Sequence, residues 1–235
     1  MNRGVDMGAY DRGQTRRFAL IGMLGGFICS IADYFLEYLG ALPNETLGAY
    51  GVVETAWASM AAWRFPASIW IAAVTVPMYV LGFIAIARQM RSTHERLGKL
   101  FGASALLGSL GGLFIHIMLC VLPVAYQHLI VNGSQTLAVG TIDAMVGSFI
   151  VPFYAYYVFL IIIPLIAWCV YCFRKGGLYK PVAAIAVVGF TVVCLVLGGI
   201  VPSLGFLQVG AVSRMIGLWC MTAWLTERKA ERNAI

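Results

Sequence analysis

The chain has 235 residues, 61% of them hydrophobic and only 11% charged, with a mean hydropathy of +0.86 and a formal net charge of +6. A water-soluble domain carries about 25% charged residues, so this composition cannot cover a water-facing surface and excludes a soluble globular fold. The apolar runs also exceed the length of buried core helices, which makes lipid the solvent for most of the surface.

The first apolar segment, Phe18–Leu39, follows Arg12, Arg16 and Arg17. It is longer than the apolar stretch of a cleavable signal peptide and lacks a clear small-residue cleavage site. Gly22, Gly26, Cys29, Ser30, Asp33 and Glu37 recur at spacings of three and four, which sets them on one helix face. The glycine end of that stripe allows close helix approach, and the other end places two carboxylates one turn apart. The first connection holds Glu54, Trp57, Trp63 and Arg64 in or beside Leu47–Trp63, a stretch expected to form a short interfacial helix. Asn44-Glu45-Thr46 in the same connection, and Asn132-Gly133-Ser134 later, match glycosylation acceptors, a short pattern that arises often by chance.

The second segment is Ala67–Ile86, followed by a connection rich in Arg88, Arg91, Arg96 and Lys99. The third, Leu100–Tyr126, repeats the design of the first. Gly102, Ala105, Ser109, Gly112, His116, Cys120, Pro123 and Gln127 fall on one face, small residues first and polar ones later. The fourth segment, Gly147–Phe173, opens with Tyr154, Tyr156 and Tyr157 and ends with Cys169 and Cys172. This C-x-x-C lacks a thioredoxin-like strand–helix context, and the six cysteines read as buried free thiols. Arg174, Lys175 and Lys180 precede the fifth segment, Pro181–Val201. The sixth, Gln208–Thr226, carries Arg214 about two turns from its start, and Arg228, Lys229 and Arg232 follow it.

Backbone polar groups find no partner in lipid, so such segments must be helices. Basic residues crowd both termini and the second and fourth connections, whereas the first, third and fifth together hold only Arg64. The positive-inside rule then predicts an all-α polytopic membrane protein: one six-transmembrane-helix bundle over residues 1–235, N-in and C-in. The net positive charge is a topology signal and implies no nucleic-acid partner. A multi-pass location in the cell membrane, as in a bacterial inner membrane, follows.

Ionisable groups inside spans normally face a bundle interior, a cavity or a partner. Asp33 lies sixteen residues beyond Arg17 and His116 seventeen beyond Lys99, so each sits about 25 Å from its cytoplasmic anchor. The two are therefore expected to meet in the outer half of the membrane. Arg214 enters from the opposite side, and an unpaired guanidinium there costs several kcal/mol, so Asp33 or Glu37 is its expected partner. Asp33, Glu37, His116 and Arg214 are the candidate catalytic residues, with Glu54, Trp57, Cys120, Tyr154 and Tyr157 as candidate ligand contacts. Each has a structural reading beside the functional one: an ion pair, a helix–helix hydrogen bond, a packed thiol or an aromatic belt.

No cofactor or metal is expected. Every lysine lies in a cytoplasmic connection or tail, which leaves no intramembrane Schiff base. His116 and His128 sit on one helix and cannot clamp a haem from facing helices, and His116 with Cys120 is only a lone i, i+4 metal-ligand pair.

The first helix ending in Ala32-Asp33-Tyr34-Phe35-Leu36, Arg64 before the second, the run from Gly111-Gly112 to His116 in the third, and Pro152 and Pro181 near the starts of the fourth and fifth together resemble an uncharacterised family of bacterial six-helix integral membrane proteins. The resemblance covers most of the chain, implies the same fold, and singles out Asp33 and His116. Emopamil-binding, sterol-isomerase-like proteins are similar more loosely, as small helical bundles with buried acids and no shared motif.

An apolar cavity with a few convergent polar groups suits a small lipophilic molecule such as a lipid, isoprenoid or sterol. The chain either binds it or converts it. Asp33 and Glu37 would be the acid–base pair, His116 a proton relay, and Arg214 or a tyrosine the stabiliser of negative charge, a set fitting isomerisation or cyclisation better than hydrolysis. A proton-coupled transporter and an interaction subunit docking a partner through its glycine stripes are the alternatives. Partners are membrane lipid, the lipophilic ligand and, for a channel-like arrangement, further copies of the chain.

Overall fold

The structure, a computed structural model, describes residues 11–40 and 42–232. It is all-α apart from one small hairpin. Helix α1 spans Arg12–Glu37, α2 Arg64–Thr93 and α3 Glu95–Asn132. Helix α4 runs through Gln135–Phe173, α5 covers Pro181–Ile200 and α6 covers Ala211–Arg232, with a 3-10 turn and the four-residue helical turn Gly205–Gln208 between the last two.

Five helices, α1 to α5, are long and apolar enough to cross a membrane. Large apolar side chains stand outward along them; Trp70, Leu110, Val151 and Ile200 are each more than 70% exposed. Such a surface suits lipid and not water. The sixth apolar segment differs from expectation. Gly210, at φ +68°, separates the turn Gly205–Gln208 from α6, and Arg214 follows at once. The uncharged stretch left to α6, residues 215–226, is twelve residues or about 18 Å long, and α6 is not among the helices long and apolar enough to cross a membrane.

Helix α1 lies between α2 and α6 because glycines remove the side chains that would hold them apart. A Cβ on Gly26 would stand 2.4 Å from the Gly217 nitrogen, and one on Gly22 would stand 2.3 Å from the Gly82 Cα. Backbone contact on this scale is the use of small residues foreseen for the stripe. Helix α3 then packs on α2 and α4, and α5 packs on the Ile163–Phe173 half of α4 and on α6.

Two connections are not what the sequence suggests. Leu47–Trp63 is no interfacial helix. It holds an antiparallel hairpin, β1 (Thr46–Leu47) and β2 (Val53–Glu54), followed by the 3-10 turn Thr55–Ser59. Gly48 and Gly51, at φ +89° and +60°, adopt a backbone that disrupts a helix and closes the hairpin. The third connection shrinks to Gly133-Ser134, because Ser134 accepts the Leu137 N–H at 3.2 Å and caps an α4 that begins twelve residues before its apolar segment.

The interior divides into two clusters. One is built on Phe83, Phe101, Trp168, Tyr171 and Trp219, the other on Phe65, Leu122, Tyr126 and Ile142. Along α1 the division falls between Cys29 and Leu36, and along α3 between Ala105 and Ile115. Asp33 lies at this seam on α1, and His116 adjoins it on α3. At the basic end of the bundle, buried Gln89 donates to Glu227 Oε1 at 2.7 Å and to the Ala223 carbonyl at 2.9 Å, and accepts from Tyr179. This ties α2 to α6 and to the α4–α5 connection.

Candidate functional site

Asp33 and His116 face one another across the seam, with His116 Nδ1 3.6 Å from Asp33 Oδ1 and both side chains about 15% exposed. Neighbouring hydroxyls hold the two groups. Ser213, the first-turn residue of α6 beside Arg214, donates to Asp33 Oδ2 at 2.6 Å. Ser68, buried on α2, donates to the Ala32 carbonyl at 2.7 Å and lies 2.9 Å from His116 Nε2. Ser68 has one hydrogen, and the carbonyl can only accept it. His116 Nε2 must therefore carry a proton and donate to Ser68. Its Nδ1 then either bears a second proton beside a carboxylate or presents a lone pair to a carboxylic acid. Without a proton between them, a lone pair would confront an anion. At 3.6 Å the two groups are neighbours but are not hydrogen-bonded to one another.

Both groups line a cavity of about 360 Å³ bounded by α1, α2, α3, α4, α5 and the start of α6. Glu37, Ser213 and Gln208 add polar groups, and Leu119, Phe153, Leu160 and Leu195 supply an apolar wall. The Gln135–Tyr157 part of α4 stands away from α5. Tyr157 and Leu195, 45% and 41% exposed, line the cavity on either side of this gap. The wall includes an irregular turn. Pro164 has no N–H, and at Val158–Ile162 the helix widens to a π-turn in which Ile163 N–H reaches back to the Val158 carbonyl. Leu160 and Ile161 from this turn face the cavity; π-turns of this kind are frequent at functional sites.

Glu37 lies one turn beyond Asp33 and opens onto a second cavity of about 190 Å³, lined also by Leu36, Leu39, Val52, Glu54, Trp57 and Leu119. Leu119 and Glu37 belong to both spaces. Gln127 fixes this region by donating to the carbonyls of Trp57 and Met60, each at 2.7 Å. Glu54 accepts from Asn44 and, at 3.2 Å, from Thr46 Oγ1. Arg64 closes the end of α1: its guanidinium donates to the Tyr34 and Phe35 carbonyls at 3.1 Å and to the Tyr38 carbonyl at 2.6 Å. The Tyr34 carbonyl also accepts the Tyr38 N–H at 3.2 Å, while the Phe35 and Tyr38 carbonyls lie where the helix end supplies no further N–H.

The structure therefore brings Asp33, Glu37, His116 and Tyr157 to one cavity, and Glu54 and Trp57 to its neighbour. It leaves out three expected members. Arg214 forms no direct ion pair with Asp33 or Glu37 among the described residues, although its charge lies within electrostatic reach of Asp33; its guanidinium donates to the Leu207 carbonyl, which the break before α6 frees. Cys120 is fully buried in the second core cluster and lines neither cavity. Tyr154 is 62% exposed on the outer face of α4 and packs edge-on against Phe153. The sequence does not single out Ser68, Ser213 or Gln208: a lone hydroxyl in an apolar helix usually bonds its own backbone, and Gln208 joins the site only through the turn Gly205–Gln208. Among the described residues no three His, Cys, Asp or Glu side chains gather as a metal site, and all six cysteines are free.

Comparison with known proteins finds no matching curated protein and no matching solved structure. A family described as "Family of unknown function (DUF6796)" matches residues 1–226, nearly the whole chain and every residue of the site. This protein, an all-α chain with five helices apolar enough to cross a membrane, belongs to that family.

Proposed function

We propose that this protein binds a small lipophilic molecule of the lipid, isoprenoid or sterol class in the Asp33–His116 cavity, and acts on it by moving a proton to or from those residues. The observation that carries the reading is a carboxylate–imidazole pair held by Ser213 and Ser68 in a cavity whose wall is largely apolar and includes the exposed Tyr157 and Leu195 beside the α4–α5 gap. A ligand arriving through an apolar flank keeps its hydrocarbon in contact with Leu119, Phe153, Leu160 and Leu195, and presents its polar end or double bond to the acid. Glu37, one turn away and facing the second cavity, is placed to return a proton, so that acid and base stand at two points of one path. Isomerisation or cyclisation needs that arrangement and no activated nucleophile.

The same reading sets the chain in a cell membrane, bacterial inner membrane included, with α6 completing six crossings and both termini in the cytoplasm. Arg88, Arg91, Lys99, Lys175, Lys180 and Arg228 lie at the bundle end opposite Asp33, which supports the orientation.

Purified protein extracted from membranes is expected to carry a lipophilic molecule detectable by mass spectrometry of the organic extract. Asp33→Asn and His116→Ala should empty the site or stop turnover while the bundle stays folded. Full retention of the molecule and of turnover in both variants would reject the site.

A further inference from the structure

A further pocket lies at the basic end of the bundle, between α2 and α3 and remote from the Asp33 cavity. It encloses about 470 Å³. Arg88, Arg91 and Lys99 form its rim, and its floor is small because Ala87 and Gly102 meet there; a Cβ on Gly102 would touch the Ala87 Cβ at 3.0 Å. Beyond the floor the groove continues along Ala103 and Leu106, both exposed on the apolar flank of α3. The rim is organised. Arg88 donates to Gln14 Oε1 at 2.6 Å and lies 5.2 Å over the Phe18 ring. Lys99 meets Glu95 at 2.6 Å. Three cations therefore stand against one carboxylate at the mouth of an apolar groove.

We propose that this pocket is a binding site for an anionic glycerophospholipid. The phosphate would sit among Arg88, Arg91 and Lys99, and an acyl chain would follow Ala103 and Leu106 into the bilayer. Charge complementarity selects the anion, and the groove's apolar extension selects a lipid over free phosphate. Basic pockets between membrane helices on the cytoplasmic side bind anionic headgroups in this way. The site requires that the helices lie in a membrane, and it is independent of the chemistry proposed for Asp33 and His116.

The test is native mass spectrometry of full-length protein released from vesicles of phosphatidylglycerol and phosphatidylcholine in equal parts. The wild type should retain phosphatidylglycerol preferentially, and excess inorganic phosphate should not displace it. Arg91→Gln with Lys99→Gln should reduce that preference about 25-fold, at about fivefold per basic residue. Ala103→Trp, which fills the groove without altering charge, should also reduce retention. Arg174→Gln with Lys175→Gln, at the same end outside the groove, should leave the preference intact. Equal retention of the two lipids by the wild type would overturn the proposal. Displacement by phosphate, or an equal loss in the Arg174 and Lys175 variant, would do the same.

Discussion

Ser68→Ala tests the proton arrangement at the site. Ser68 is wholly buried, donates to the Ala32 carbonyl at 2.7 Å and receives His116 Nε2–H at 2.9 Å. Side-chain hydrogen bonds between membrane helices contribute about 0.6 kcal/mol on average and up to about 1.7, so losing both should destabilise the bundle by about 1–3 kcal/mol. The ring has an escape. Freed from Ser68, it can move its proton to Nδ1 and donate to Asp33, recovering part of that loss. Nitrogen-15 NMR of histidine-labelled protein reads the outcome. In the wild type His116 should carry a proton on Nε2 at every pH at which the protein is folded. In Ser68→Ala the neutral Nδ1–H form should become populated. A wild-type His116 found as the neutral Nδ1–H tautomer would refute the argument, because Ser68 would then have no hydrogen left for the Ala32 carbonyl.

Other substitutions probe the frame. Gly26→Leu drives a side chain into the backbone of Gly217 and should lower thermal stability by about 1–3 kcal/mol, whereas Gly140→Ala, with open space around it, should be neutral or slightly stabilising in a melting assay. Arg64→Met removes three hydrogen bonds from the α1 terminus and should cost about 1–3 kcal/mol in the same assay; Arg64→Lys should restore only part of it, since an ammonium lacks the planar fork. Cys29, Cys120, Cys172, Cys194 and Cys220 are buried and should resist maleimide in the folded protein, with half-buried Cys169 reacting first.

Much of the frame is legible in one dimension because lipid leaves the chain few choices. Long apolar runs have to be helices, and glycines three and four apart have to be contact faces. The pairing of Asp33 with His116 follows from counting residues from Arg17 and from Lys99, since a straight helix converts sequence into depth. Connections follow other rules. Gly48 and Gly51 turn a stretch of helical composition into a hairpin, and Ser134 extends α4 well beyond its apolar part. Arg214 acts on Asp33 only through its charge and makes no direct ion pair with it, because Gly210 interrupts the helix and strands the Leu207 carbonyl that the guanidinium takes, a local demand that the depth argument does not contain. Ser68 and Ser213 become meaningful only once α2 and α6 are known to touch α1.

A density map of the protein in lipid nanodiscs, at a resolution that shows side chains, tests the central claim most directly. The account predicts elongated non-protein density entering between Tyr157 and Leu195 and ending within hydrogen-bonding distance of Asp33 and His116. A gap sealed by contact between α4 and α5, with the carboxylate bonded directly to the imidazole and no room for a guest, would contradict it.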